Sequence, residues 1–410
     1  MTLELPDEFT LPDYEGGSLA NVPVTIGRLL GAPVGGLPPL RDALWRPLGG
    51  AKRVVLLLID SLGWPIFQRE MEAFEGLLPR AAVQDKITSV FPSTTVAALS
   101  CLWTGYAPAQ HGLVGLRLLF PEQGVLGQML KFSPNFGGRP GLLTDAGVDP
   151  QHFLAVPGLG QQLANHGVPS YTLKGRGILV SPLSEMLDRG VETRTGVLSS
   201  ADLFVQLREL LESTAGQPAY IQAYWPAVDS ICHAYGPNHP SVGAELRTLI
   251  SQLQTELLDR LSPAARQDTL LFITGDHGQV ETPPEQAVNL DDHPDFKELL
   301  LMRPAGEPRS PYLYLRQGHV PAAQAYLGEH WPEAMVAMLP DEALRSGLMG
   351  PRPHAPEAAG RLGDLMLTMR SGHTMLTGSE EAWSHRMRGR HGGMTATEME
   401  MPWLGLRLDA

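Results

Sequence analysis

Three aspartates in this chain of 410 residues follow runs of apolar residues: Asp60 ends RVVLLLID, Asp229 follows YIQAYW, and Asp276 ends LLFITGD. Histidines stand beside two of them, His233 four residues after Asp229 and His277 next to Asp276. Carboxylates and imidazoles together are the donors that hold divalent transition metals. If residues 227–233 begin a helix, the four-residue spacing puts Asp229 and His233 on one face, where they can grip a single ion. Asp276 and His277 would point oppositely within a strand, but from a turn beyond its end both can converge. His391 lies in RHGG, a loop whose glycines let the backbone approach a site closely.

The stretch 89–105, SVFPSTTVAALSCLWTG, offers a hydroxyl to go with these donors. Thr94 and Thr95 precede an apolar run that reads as a short helix ending at Gly105, so one of them is a natural N-cap. A hydroxyl in that position also lies among free backbone N–H groups, where a phosphate-like anion can bind. Alone, the stretch reads as a cap. With metal donors elsewhere in the chain, it reads as a nucleophile presented at a cap, because each piece is weak by itself and their coincidence is not.

The elements that must position these residues follow from patterning. Residues 54–59 are six consecutive apolar residues rich in branched side chains, the mark of a strand buried on both faces of a parallel sheet. An acid at its carboxyl end sits where ligands collect in open α/β sheets. The buried strand expected at 220–225 and the stretch 269–278, an apolar strand followed by an acid, repeat the device, and 312–315 reads as a further strand. Amphipathic helices are expected over 157–165 and 200–214, a short helix near 22–30 and a long one over 244–261, and Thr395 to Glu398 matches a capping box. Strands alternating with helices make an α/β protein, with a mostly parallel central sheet flanked by helices on both faces. The expected division is an irregular leader over 1–50, a core over 51–282 and 386–410, and an inserted cap or small α+β lobe over 283–385, where Pro-rich connections interrupt the pattern.

The totals narrow the function. A formal charge of -13 argues against a nucleic-acid polymer or an anionic membrane as partner. An anionic substrate would need a local source of positive charge, which bound metal ions supply. Two cysteines, Cys101 and Cys232, cannot build a disulfide framework. The start of the chain is acidic where a signal peptide is basic, and no apolar run reaches the ~18 residues of a membrane span. The expectation is a cytoplasmic protein of open oligomeric state.

The order Asp60, Thr95 with Thr104-Gly105 nine and ten residues on, Asp229-x-x-x-His233, Asp276-His277-Gly278 and His391-Gly392 resembles the alkaline phosphatase superfamily. Within it the chain is most similar to the type I phosphodiesterase/nucleotide pyrophosphatase branch, over about residues 54–404. The resemblance implies an alkaline phosphatase-like fold and a two-metal site. Asp229, His233 and His391 would hold one divalent ion, and Asp60, Asp276, His277 and the Thr95 oxygen the other. Zinc suits this mixed set, with manganese as the alternative.

It also implies hydrolysis of phosphodiester or pyrophosphate bonds in a small phosphorylated substrate, through a phosphothreonine. Val90 precedes Phe91-Pro92 where relatives carry their threonine, and spacing back from Thr104-Gly105 selects Thr95 as the nucleophile. Where relatives place an asparagine, HGLVGLR offers Leu116 and Arg117, so Arg117, with Thr94, becomes the candidate substrate contact; Lys131 and Lys174 are further candidates. A phosphomonoesterase or phosphonate hydrolase shares this chemistry. A non-catalytic metal-binding sensor of a phosphorylated ligand is the alternative of another class. His111 is expected to fix a turn, and His385 to be a weaker ligand candidate than His391.

Overall fold

The apolar run at 54–59 forms the strand Arg53–Ile59, buried along its whole length in the computed structural model, which describes residues 5–378 and 384–410. Its alternate side chains feed two cores. Val54, Leu56 and Leu58 join one, and Val55, Leu57 and Ile59 the other, because successive residues of a strand face opposite sides of the sheet. Burial on both faces is why the run is continuous rather than alternating.

This strand is the middle of a seven-stranded sheet in the order Ala81–Thr88, Glu400–Arg407, Thr269–Thr274, Arg53–Ile59, Ala219–Trp225, Ser170–Gly175 and Thr193–Val197. Six of these run in one direction; Glu400–Arg407 alone runs the other way and pairs antiparallel with both of its neighbours. Ile59 pairs with Trp225 and Leu58 with Thr274, so the carboxyl ends of three adjacent strands are level. Helices Thr95–Leu102 and Val22–Leu29 pack on one face, and Ser200–Ser213 and Pro240–Gln252 on the other.

Two helices differ from their expected extents. The one expected over 244–261 begins at Pro240, where His239 Nδ1 accepts from the Ser241 amide, and ends in a π-type turn over Leu253–Leu258. The one after Thr94 ends at Leu102 instead of running to Gly105, which adopts a φ of 86°. Thr94 has the extended backbone of an N-cap, but its side chain makes no capping hydrogen bond.

A second seven-stranded sheet runs Met335–Met338, Leu365–Met369, Pro311–Leu313, Ala305–Gly306, Arg117–Phe120, Val125–Gln128 and Ser133–Pro134, every pairing antiparallel. The strand expected at 312–315 is thus Pro311–Leu313. Leu313, Leu365, Leu367 and Met369 pack with helices Pro294–Leu299 and Val320–His330 in a third core. Among the described residues, no helix is long and apolar enough to cross a membrane.

Candidate active site

The level strand ends bring the three aspartates together. Asp60 leaves Ile59 directly, Asp276 follows Thr274 by one glycine, and Asp229 is in the first turn of helix Ala227–Tyr235, which begins two residues beyond Trp225. The helix puts His233 on the face of Asp229, its Nε2 3.3 Å from Asp229 Oδ1. His391 arrives from far along the chain because Gly389–Arg390 pairs with Val280–Glu281, just beyond the Asp276 turn. His391 Nε2 lies 3.7 Å from the same Asp229 oxygen.

Close backbone approach makes this possible. A Cβ on Gly278 would stand 2.0 Å from the Thr397 carbonyl, and Gly392, at a φ of 113°, passes against the Glu307 side chain. The segment leading to Thr95 is tied to the same loop. Ser93 accepts from His391 Nδ1 at its carbonyl (3.0 Å), and its hydroxyl donates to the Gly393 carbonyl (2.7 Å). Thr95, first residue of its helix, holds Oγ1 3.0 Å from His277 Nε2.

Tautomers follow from these partners. His233 Nδ1 donates to the Gly389 carbonyl (2.8 Å), His277 Nδ1 to the Gly278 carbonyl (3.1 Å) and His391 Nδ1 to the Ser93 carbonyl. All three Nε2 lone pairs therefore face the aspartates, an orientation that suits ligation. Burial holds His277 and His391 neutral, lowering them to about 4 and about 3.

The carboxylates show the complementary pattern. Asp276 Oδ1 accepts the amides of Ser61 (3.1 Å) and His277 (3.0 Å), while Oδ2 is buried without a partner, 3.3 Å from His277 Nε2. Asp60 Oδ2 accepts from the Tyr224 hydroxyl, and Oδ1 is buried without a partner, 3.6 Å from His277 Nε2. Burial, then mutual repulsion with Asp276 and Asp229, pushes Asp60 well above the carboxylate range; burial raises Asp276 to about 6. At Asp229 burial acts upward, and His233, His391, His277 and the Ser61 hydroxyl more than offset it. Three clustered acids, neutral imidazoles and two orphaned carboxylate oxygens fit bound cations, because an unpaired buried charge is costly.

Two donor groups can be distinguished, Asp229 with His233 and His391, and Asp60 with Asp229 and His277. The first is the set expected from the sequence. The second has Asp229 within reach where the sequence reading placed Asp276; Asp276 Oδ2 lies against His277 in the same cluster.

Above the donors opens a cavity of about 650 Å³, bordered by Thr94, Thr95, Asp229, His233 and His391 and walled by Arg117 and Lys131. Lys174 is elsewhere, in a buried ion pair with Asp188 (2.8 Å). His111 is buried within its turn, with Nδ1 accepting from the Leu113 amide, and His385 is exposed.

Four residues around the site carried no usable signal in the sequence. Ser61 and Gln279 adjoin motif residues, and position in the chain was the only hint. Tyr224 lies in a buried strand. Glu307 sits in a Pro-rich connection, yet its carboxylate lines the cavity, bonds the Thr94 hydroxyl and accepts from the Leu116 amide (3.0 Å). That bond takes up the Thr94 side chain in place of a helix cap.

The family model for type I phosphodiesterase/nucleotide pyrophosphatase matches residues 54–394. No curated protein matches the chain. Among solved structures, murine ectonucleotide pyrophosphatase/phosphodiesterase 5 aligns with a TM-score of 0.65 at 18% identity, covering 86% of this chain and 87% of its own. Phosphonoacetate hydrolase from Sinorhizobium meliloti 1021, in complex with phosphonoformate, aligns with a TM-score of 0.62 at 19% identity, covering 86% of this chain and 89% of its own. Both share the mixed α/β architecture with its mostly parallel central sheet.

Proposed function

The chain belongs to the type I phosphodiesterase/nucleotide pyrophosphatase family and is a phosphoric ester hydrolase; on that footing we propose that it cleaves phosphodiester or pyrophosphate bonds of a small substrate through a phosphothreonine at Thr95. The observation that carries this reading is the Thr95 hydroxyl, which lines the cavity 3.0 Å from Nε2 of His277, a member of the second donor group.

Asp229, His233 and His391 would hold one divalent ion, and Asp60, Asp276, His277 and Thr95 the other, with zinc favoured by the mixed nitrogen and oxygen donors and manganese second. Bound ions would supply the positive charge that lets an anion enter an acidic protein and that favours the ionised hydroxyl. Thr95 Oγ attacks phosphorus in line as the bond to the leaving oxygen breaks; water then attacks the phosphothreonine and returns the free hydroxyl. Amides at the very start of the Thr95 helix would stabilise charge developing on the phosphoryl oxygens. Arg117 and Thr94, at the cavity wall, would orient the substrate.

A second reading, phosphonate hydrolysis, is supported by the likeness to phosphonoacetate hydrolase and by the basic side chains of Arg117 and Lys131 in the same cavity. Comparing bis(p-nitrophenyl) phosphate, p-nitrophenyl phosphate and phosphonoacetate on protein loaded with zinc or manganese separates these readings. The diester should be turned over fastest. Phosphate release from phosphonoacetate alone would replace the first reading with the second, and protein binding no metal would end both.

A further inference from the structure

Ser61 is one of four residues other than glycine with a positive φ among the described residues, at 62°, and it directly follows Asp60. Such a conformation is costly for a residue with a Cβ and persists where surroundings impose it, often at a functional site. Here the surroundings are the other two aspartates. The Ser61 amide donates to Asp276 Oδ1 (3.1 Å), and its hydroxyl donates to Asp229 Oδ1 (2.8 Å). A single residue thus touches the carboxylates delivered by both neighbouring strands.

Gln279 completes the arrangement. Its Nε2 donates to Asp229 Oδ1 (2.6 Å), to the Asp229 carbonyl (3.2 Å) and to Ser61 Oγ (3.1 Å). Its Oε1 is buried with no partner. The reverse orientation would aim an amide oxygen at a carboxylate, so the donor faces Asp229 and the acceptor is left unsatisfied. A glutamine that only filled space would not incur that cost.

We propose that Ser61 and Gln279 are positioning residues that fix the rotation of the Asp229 carboxylate, and with it the affinity of the two donor groups that share Asp229. The inference rests on the two-metal reading above. Hydrogen bonds to a ligating group typically change metal affinity about 10- to 100-fold.

The test measures zinc affinity by competition with a chromogenic chelator, and thermal unfolding of the metal-stripped protein, for wild type, Ser61→Gly and Gln279→Met. Ser61→Gly removes the hydroxyl but suits the positive φ, so the stripped variant should unfold at the same temperature as wild type or higher while zinc affinity falls about 10- to 100-fold. Those opposite directions are what a merely structural serine would not give. Gln279→Met keeps length without the donors and should lose affinity similarly. Wild-type affinity in both variants, or affinity and stripped-protein stability falling together in both, overturns the proposal. If wild type itself binds neither zinc nor manganese, the two-metal reading fails first, which distinguishes that failure from this one.

Discussion

The two seven-stranded sheets meet at one cavity and contribute to it differently. In the parallel sheet, three adjacent strands end level and each delivers an aspartate, so the donors are set by register: Ile59 against Trp225, Leu58 against Thr274. The antiparallel sheet delivers no donor of either cluster. Arg117 lies at the start of one of its strands, and Glu307 follows another immediately. Chemistry fixed by strand ends cannot shift without shifting the core, whereas walls on a second sheet can change while the donors stay in place. On the proposed function, the reaction falls to the first sheet and the choice of substrate to the second.

The largest expected effect tests the first half of that assignment. Thr95→Ala should keep bound metal while turnover falls by several orders of magnitude, since a covalent nucleophile is removed. Metal analysis beside steady-state kinetics checks it, and near wild-type turnover would move the nucleophile, with Thr94 the next candidate.

The joint between the two regions comes next. Arg309 and Glu398 form a fully buried ion pair (2.7 Å), and Glu398 also accepts from the Gly393 amide (2.9 Å) in the loop of His391. Arg309→Met leaves that carboxylate unpaired and should cost about 3–5 kcal/mol in denaturant unfolding. Adding Glu398→Gln should recover part of the loss; no recovery would mean that packing of Arg309, not its charge, matters.

Glu307 probes the second region through pH. Burial raises its carboxyl from 4.5 to about 7, so the folded protein keeps a proton that the unfolded chain has already lost. The stabilisation is whole below 4.5 and disappears as pH climbs to about 7, on the order of 3 kcal/mol over the window. Glu307→Gln stays neutral throughout, so its stability relative to wild type should rise across that interval. A flat difference would show that Glu307 does not titrate there.

The smallest effect concerns substrate choice. Arg117→Ala should lower kcat/KM roughly tenfold, consistent with one charge-assisted contact, while metal content stays unchanged. An equal loss for every anionic substrate tried would weaken the division between the sheets, because a wall that selects should discriminate.

Much of the site was already legible in the chain. Six apolar residues before Asp60 announced a strand buried on both faces, and the four-residue spacing of Asp229 and His233 needed only a helix to put them together. These are local properties, carried by period and by near neighbours. Even His391, remote in sequence, stood out through its glycines, although what brings it in is the pairing of Val280 with Arg390.

What the chain by itself determined was therefore the candidate donors and the strands that carry them. What tertiary structure alone decided was their mutual support. Asp229 belongs to both donor groups, Ser61 hydrogen-bonds two carboxylates, and Gln279 turns its amide toward one of them. Strands Arg117–Phe120 and Ala305–Gly306, distant in the chain, meet in one sheet that brings Glu307 to Thr94. No periodicity encodes such contacts, because hydrogen bonds between residues hundreds of positions apart depend on how strands are ordered in a sheet, and order is settled only when the whole core packs.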